Sequence, residues 1–331
     1  MPVPPPSDLH QHLGELLQSQ EGADVTFHVS GESFAAHKAL LAARSPVFKA
    51  KFFGGMEETS SDFVVIEDME PVVFKSMLHF IYTDMAPELD GDQEPQAAAT
   101  MAQHLLAAAD RYGLNRLKLI CECKLSGGIS IDTAATTLAL AEQHHCSLLK
   151  AKCYLVNDSL TVECTVTVLR DLDTADKGQP LPVPPPSDLH QHLGELLQSQ
   201  EGADVTFHVS GESFAAHKAL LAARSPVFKA KFFGGMEETS SDFVVIEDME
   251  PVVFKSMLHF IYTDMAPELD GDQEPQAAAT MAQHLLAAAD RYGLNRLKLI
   301  CECKLSGGIS IDTAATTLAL AEQHHCSLLK A

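Results

Sequence analysis

Residues 23–48 read ADVTFHVSGESFAAHKALLAARSPVF. Apolar and polar residues alternate on both sides of Ser30–Gly31, the pattern of a β-hairpin with strands at Val25–Val29 and Ser33–Ala36. The period then lengthens. HKALLAARSPVFKAKFF is helical, and Ser45–Pro46 restarts it as a second short helix with proline in its first turn, where the missing N–H has no intrahelical partner to lose. Upstream, Ser7 is a plausible N-cap, and Leu9, Leu13, Leu16 and Leu17 lay a narrow apolar stripe along a short helix. Downstream, DFVVIED reads as a third strand and EPVVFKSMLHFIYT as a helix opened by Pro71. After the acidic loop DMAPELDGDQEP come helices over Gln96–Tyr112, LNRLKLICECKL and IDTAATTLALAEQHH. A small sheet with many helices, not strictly alternating, makes the fold class α+β.

The chain then starts over. Pro2–Ala151 recurs without substitution as Pro182–Ala331, and only Lys152–Leu181 occurs once. A period of this length is that of a globular domain, not of a solenoid. Of 331 residues, 23 are Lys or Arg and 45 Asp or Glu, for a net charge of −22. That balance repels phosphate backbones and anionic lipid, so neither nucleic acid nor membrane is an expected partner. No apolar run approaches a membrane span and no signal peptide is visible, which points to an intracellular protein of nucleus or cytoplasm. The eight cysteines read as reduced. Cys121, Cys123 and His144–His145–Cys146 match no common zinc spacing. No nucleophile triad or phosphate loop is present, so no metal, cofactor or enzymatic activity is expected.

The run ADVTFHV…FAAHKALLAARSPVF, continued by FIYTDMAPEL and LLAAADRYGLNRLK, resembles the BTB (POZ) domain, and is similar in particular to that of speckle-type POZ protein and the plant MATH–BTB proteins. The resemblance covers essentially all of each copy. Ile131–Ala151 resembles the opening helices of the BACK region, or 3-box. It implies BTB domains over 2–125 and 182–305, shortened BACK helices over 126–153 and 306–331, and a linker over 154–181. Within that linker NDSLTVECTVTVL alternates like one half-buried strand and resembles the last strand of a MATH domain whose remainder is absent. Ser159–Val168 is therefore expected to be disordered or to add to an exposed sheet edge.

The same resemblance assigns roles. The stripe of Leu9, Leu13 and Leu16, with Leu40, implies a dimer interface, repeated as Leu189, Leu193, Leu196 and Leu220. Met56 and Glu58, in GGMEETSSDF, fit the apolar-x-Glu pattern that grips cullin-3, with Tyr82 on the same surface; the copies are Met236, Glu238 and Tyr262. An adaptable thioether and a charge-assisted acceptor suit such a contact, although Met-x-Glu alone is a weak motif. Asp24 with Lys38, and Asp204 with Lys218, resemble the ion pair of the BTB charged pocket. Expected partners are cullin-3, other BTB or MATH–BTB proteins, and the chain itself. A linker of about thirty residues spans about 30 Å as a coil, enough for the copies to pair within one chain. The function implied is a cullin-3 ubiquitin-ligase adaptor acting as a single-chain pseudo-dimer. The alternatives are a non-catalytic oligomerisation scaffold and the product of a faulty gene model.

Overall fold

The computed structural model describes residues 4–54, 63–90, 95–156, 159–160, 184–234, 242–270, 275–309 and 314–330. The first copy begins with α1 (Leu9–Ser19), the hairpin β1 (Val25–Val29) and β2 (Glu32–Ala36), and the helices α2 (Lys38–Arg44) and α3 (Pro46–Phe53). It continues through β3 (Phe63–Ile66), α4 (Pro71–Thr83), α5 (Pro87–Asp90), α6 (Pro95–Tyr112), α7 (Asn115–Ser126), α8 (Ile131–Gln143) and α9 (Ser147–Cys153). The short strands β4 (Leu155–Val156) and β5 (Ser159–Leu160) follow. The second copy repeats the order as α10 (Leu189–Ser199), β6 (Val205–Val209), β7 (Glu212–Ala216), α11 (Lys218–Arg224), α12 (Pro226–Phe233), β8 (Phe243–Ile246) and α13 (Pro251–Thr263). It closes with α14 (Pro267–Asp270), α15 (Pro275–Tyr292), α16 (Asn295–Ser306), α17 (Ala314–Gln323) and α18 (Ser327–Lys330).

In each copy the strand order is β2-β1-β3 or its repeat. The hairpin pairs antiparallel, with Phe27 opposite Phe34, while β3 joins β1 in parallel, with Phe27 opposite Val64. The parallel partner requires a crossover, which α2 and α3 supply. One sheet face is apolar and buried: Val25, Phe27 and Val29 alternate inward. Phe27 meets the rings of Phe48 at 5.5 Å, Phe52 at 6.5 Å and Phe74 at 5.0 Å. The outer face of the edge strand β3 keeps Phe63 and Val65 exposed, with His28 stacked on Phe63.

Local chemistry sets the helix ends. Ser45 has extended backbone, its Oγ accepts the Phe48 N–H at 3.2 Å, and Pro46 follows in the first turn. The same hydroxyl donates to the Tyr112 carbonyl at 2.6 Å, tying α3 to the end of α6. At α1 the cap falls one residue later than expected, on Asp8, whose side chain makes no capping bond. Ser7 Oγ instead accepts a long 3.4 Å bond from the Leu9 N–H.

The linker strand is also corrected in part. Ser159–Leu160 pairs with Leu155–Val156 and not with the edge of a BTB-type sheet. The nearest segment closes the smallest loop and so costs the least entropy. The rest of the expected strand, 161–168, lies outside the described residues.

Replacing Ser45 and Ser225 by alanine removes one cap and one buried tertiary hydrogen bond per copy. Each loss is expected to cost about 1–2 kcal/mol, read as a lower midpoint in urea unfolding with an unchanged slope.

Candidate functional site

Among the described residues, a dense group of charged and polar side chains lies where the two copies meet. Helix α1 packs on α4 of its own copy and on α11 of the other, and α10 packs likewise on α13 and α2. Leu9, Leu13 and Leu16 are buried in this position, as are Leu40 and the repeats Leu189, Leu193, Leu196 and Leu220. Gly22 brings the backbone close to the other copy. It has a φ of +77°, and a Cβ there would come within 2.7 Å of Phe233 Cζ. Gly202 faces Phe53 in the same way, at 2.6 Å. Lys49 reaches Glu201 at 2.8 Å and Lys229 reaches Glu21 at 2.9 Å.

At the centre of this contact sits a buried charge cluster. Arg44, the last residue of α2, has a side chain only 3% exposed and pairs through Nη2 with Asp84 Oδ1 of its own copy. Asp84 ends α4 in the left-handed region with φ at 61°, a conformation that aspartate tolerates better than most residues. That turn brings its second oxygen within 2.7 Å of Arg116 Nη1, which also donates to the Asp84 carbonyl at 2.8 Å. Both guanidinium groups lie about 6 Å from the centre of the Phe80 ring, Arg44 at 5.8 Å and Arg116 at 6.0 Å.

The cluster crosses to the other copy. Arg44 Nη1 donates to Asp188 Oδ1 at 2.5 Å and to His192 Nδ1 at 2.7 Å. Arg116 Nε donates to the carbonyls of Pro185 and Pro186 at 3.0 and 3.2 Å, holding the proline-rich arm that leads into α10. The reciprocal set is Arg224 with Asp8 at 2.5 Å and His12 at 2.8 Å, and Arg296 with Pro5 at 3.1 Å and Pro6 at 3.2 Å. Burial pushes the Asp8 and Asp188 carboxyls up, but the arginine hydrogen bonds and charges outweigh it and hold them below the usual range. Burial, and then the neighbouring arginine charge, hold His12 and His192 below the ordinary histidine value. Each imidazole therefore accepts through an unprotonated Nδ1.

Several expected sites fall elsewhere. Asp24 Oδ1 accepts the backbone N–H of Lys38 at 2.7 Å, capping the start of α2 from outside the helix. Asp204 does the same for Lys218, whose Nζ instead reaches Asp242 at 2.9 Å. The buried charge is thus the Arg44–Asp84 cluster and not the Asp204–Lys218 pair, because a carboxylate beside an open helix start is drawn to its free N–H groups. Tyr82 and Tyr262 are wholly buried, so their side chains belong to the core and not to an accessible surface. The Tyr82 hydroxyl accepts the His37 backbone N–H at 2.9 Å and lies 2.8 Å from His37 Nδ1. His37 Nε2 lies 3.0 Å from the Glu21 carbonyl, which fixes the proton on Nε2 and makes the tyrosine hydroxyl the donor to Nδ1. Met56, Glu58, Met236 and Glu238 lie outside the described residues.

Among the described residues no group of three or more His, Cys, Asp or Glu is placed to hold a metal ion. None of their helices is long and apolar enough to cross a membrane. Cys121 is buried and Cys123 half-buried, as expected of residues two apart on a helix. His144 Nδ1 bonds Asp110 Oδ2 at 3.0 Å.

The comparisons agree with this architecture. The BTB/POZ domain family matches residues 13–129 and 193–308, and the BPM/SPOP BACK domain matches residues 133–155. The chain belongs to the BTB/POZ family. BTB/POZ and MATH domain-containing protein 3 of Arabidopsis thaliana is 47% identical over 188 residues, covering 56% of this chain and 46% of that protein. Protein 6 of the same series and organism is 43% identical over 196 residues, 56% of this chain and 46% of that protein. The chain thus spans about half the length of the curated relatives it matches.

Replacing Gly22 and Gly202 by alanine strains a left-handed backbone position in each copy and drives a methyl group into the other copy's phenylalanine. The copies are expected to separate while each keeps its own core, seen as a larger radius of gyration in solution scattering with an unchanged far-UV spectrum.

Proposed function

We propose that the chain is a non-catalytic, intracellular BTB adaptor of a cullin-3 ubiquitin ligase, its two copies paired within one chain as a pseudo-dimer. The observation that carries the pairing is reciprocity: Arg44 bonds Asp188 as Arg224 bonds Asp8, each at 2.5 Å, around two buried leucine stripes. A surface that contacts its own repeat in both directions is the hallmark of a two-fold interface. The adaptor role rests on membership of the BTB/POZ family and on likeness to the BPM/SPOP BACK domain. The cullin contact is assigned to Met56 and Glu58 with their repeats Met236 and Glu238, at the end of α3 and α12. Other BTB or MATH–BTB proteins remain partners for a chain whose copies have opened.

Light scattering on a sizing column tests both parts. The expected result is a one-chain mass that gains two cullin-3 N-terminal domains. Changing Met56, Glu58, Met236 and Glu238 together to alanine is expected to weaken that binding by about tenfold or more without altering the one-chain mass. A one-chain mass that gains no cullin would favour the oligomerisation scaffold instead.

A further inference from the structure

We infer that pairing between the copies is selected by the buried arginines, which admit a partner helix presenting a carboxylate and an unprotonated imidazole four residues apart, behind a Pro-Pro arm. This rests on the pairing proposed above but concerns what decides it. A leucine stripe is a permissive surface, since apolar burial has no direction and any amphipathic helix of similar width would fit. The arginine is not permissive. Arg44 has its side chain 3% exposed, Nη2 is taken by Asp84, and Nη1 points at the partner helix. There it finds Asp188 and, one turn on, His192. A partner with apolar residues at these two places would leave a charged donor buried without an acceptor, and that mismatch gives discrimination. Arg116 extends the reading to the arm, because Nε takes two consecutive proline carbonyls. The partner that supplies the carboxylate, the imidazole and the arm together is a second copy of this same unit, in the same chain or another.

The imidazole also gates the contact. Only an unprotonated Nδ1 can accept from arginine; imidazolium would place a donor and a second positive charge there. His12 faces Asp8, 3.8 Å away, and Glu15 on its own side, Arg224 from α11, and Asp264 from the end of α13. On α4, Lys75 is exposed, His79 turns to the Met85 carbonyl, and Tyr82 is bound to His37. The carboxylates favour the proton, but burial and Arg224 prevail, so the paired state binds it less readily than a free histidine. Pairing is therefore fully present above the ordinary histidine value of about 6.5 and is lost as pH falls below it. Two such imidazoles, one per copy, make the loss steeper.

The test uses the full chain at pH 7.5 and 5.5. Solution scattering reads the separation of the copies, and hydrogen exchange in α2 and α11 reads exposure of the shared surface. Exchange in β1 and β6 reports that each copy stays folded. The wild type is expected to be closed at the higher pH and to open at the lower, with exchange in α2 and α11 rising about tenfold or more. His12→Gln with His192→Gln keeps an acceptor that does not titrate, and should stay closed at both. His12→Leu with His192→Leu adds apolar surface but removes the imidazole acceptor, leaving each Nη1 with its aspartate alone, and should be open at both. A leucine variant as closed as the wild type would overturn the selection by arginine while leaving the pairing intact. A wild type already open at pH 7.5 would overturn the pairing itself.

Discussion

The ion pair between Arg44 and Asp84 ties the interior of one copy to its contact with the other. It joins the end of α2, inside the crossover that carries the chain from β2 to β3, to the end of α4, which follows β3. A guanidinium this deeply buried needs acceptors, and removing one partner of such a pair costs about 3–5 kcal/mol. One aspartate is not enough for a group with five donors. Nη1 finds further acceptors in Asp188 and His192 of the other copy, while Nε is left without a hydrogen-bond partner. The internal stability of each copy and the contact between copies are therefore linked through one side chain.

The parts of the fold visible in the sequence are those fixed by neighbours in the chain. The hairpin at Val25–Ala36 follows from alternation broken at Ser30–Gly31, where Ser30 and Gly31 both have positive φ. The restart at Ser45–Pro46 follows from a hydroxyl before a proline, and the structure has the cap that this implies. What the sequence concealed lies in contacts between distant positions. Arg44 closes an apolar helix, and its role depends on residues 40 and 144 positions away. A signal was nonetheless present. Asp8 and His12 are polar residues four apart on nearly the same face as Leu9, Leu13 and Leu16, a place where an amphipathic helix would otherwise be apolar.

Two residues expected from a family pattern meet the backbone at one place. Asp24 was expected beside Lys38 in a charged pocket, and Tyr82 as part of a surface. In both cases the structure shows a bond to backbone at the start of α2. Asp24 caps the first N–H of α2, and the Tyr82 hydroxyl accepts the N–H of His37, the residue just before that helix. The start of α2 is held by two side chains from outside it, since α2 is only seven residues long and carries no side-chain cap of its own. A short helix that must present Leu40 and Arg44 to another copy needs its first turn fixed by other means.

Exact repetition has a direct physical consequence for such an interface. Because each half supplies the same donors and acceptors, the second copy fits the first without a single new contact having to arise. Tethering by about thirty residues then raises the local concentration of the partner into the millimolar range, whatever the amount of protein in solution. On the proposed reading, pairing stops depending on protein concentration and depends only on the state of the contact itself. An interface relieved of mass action is the kind in which the protonation of two histidines can shift the balance.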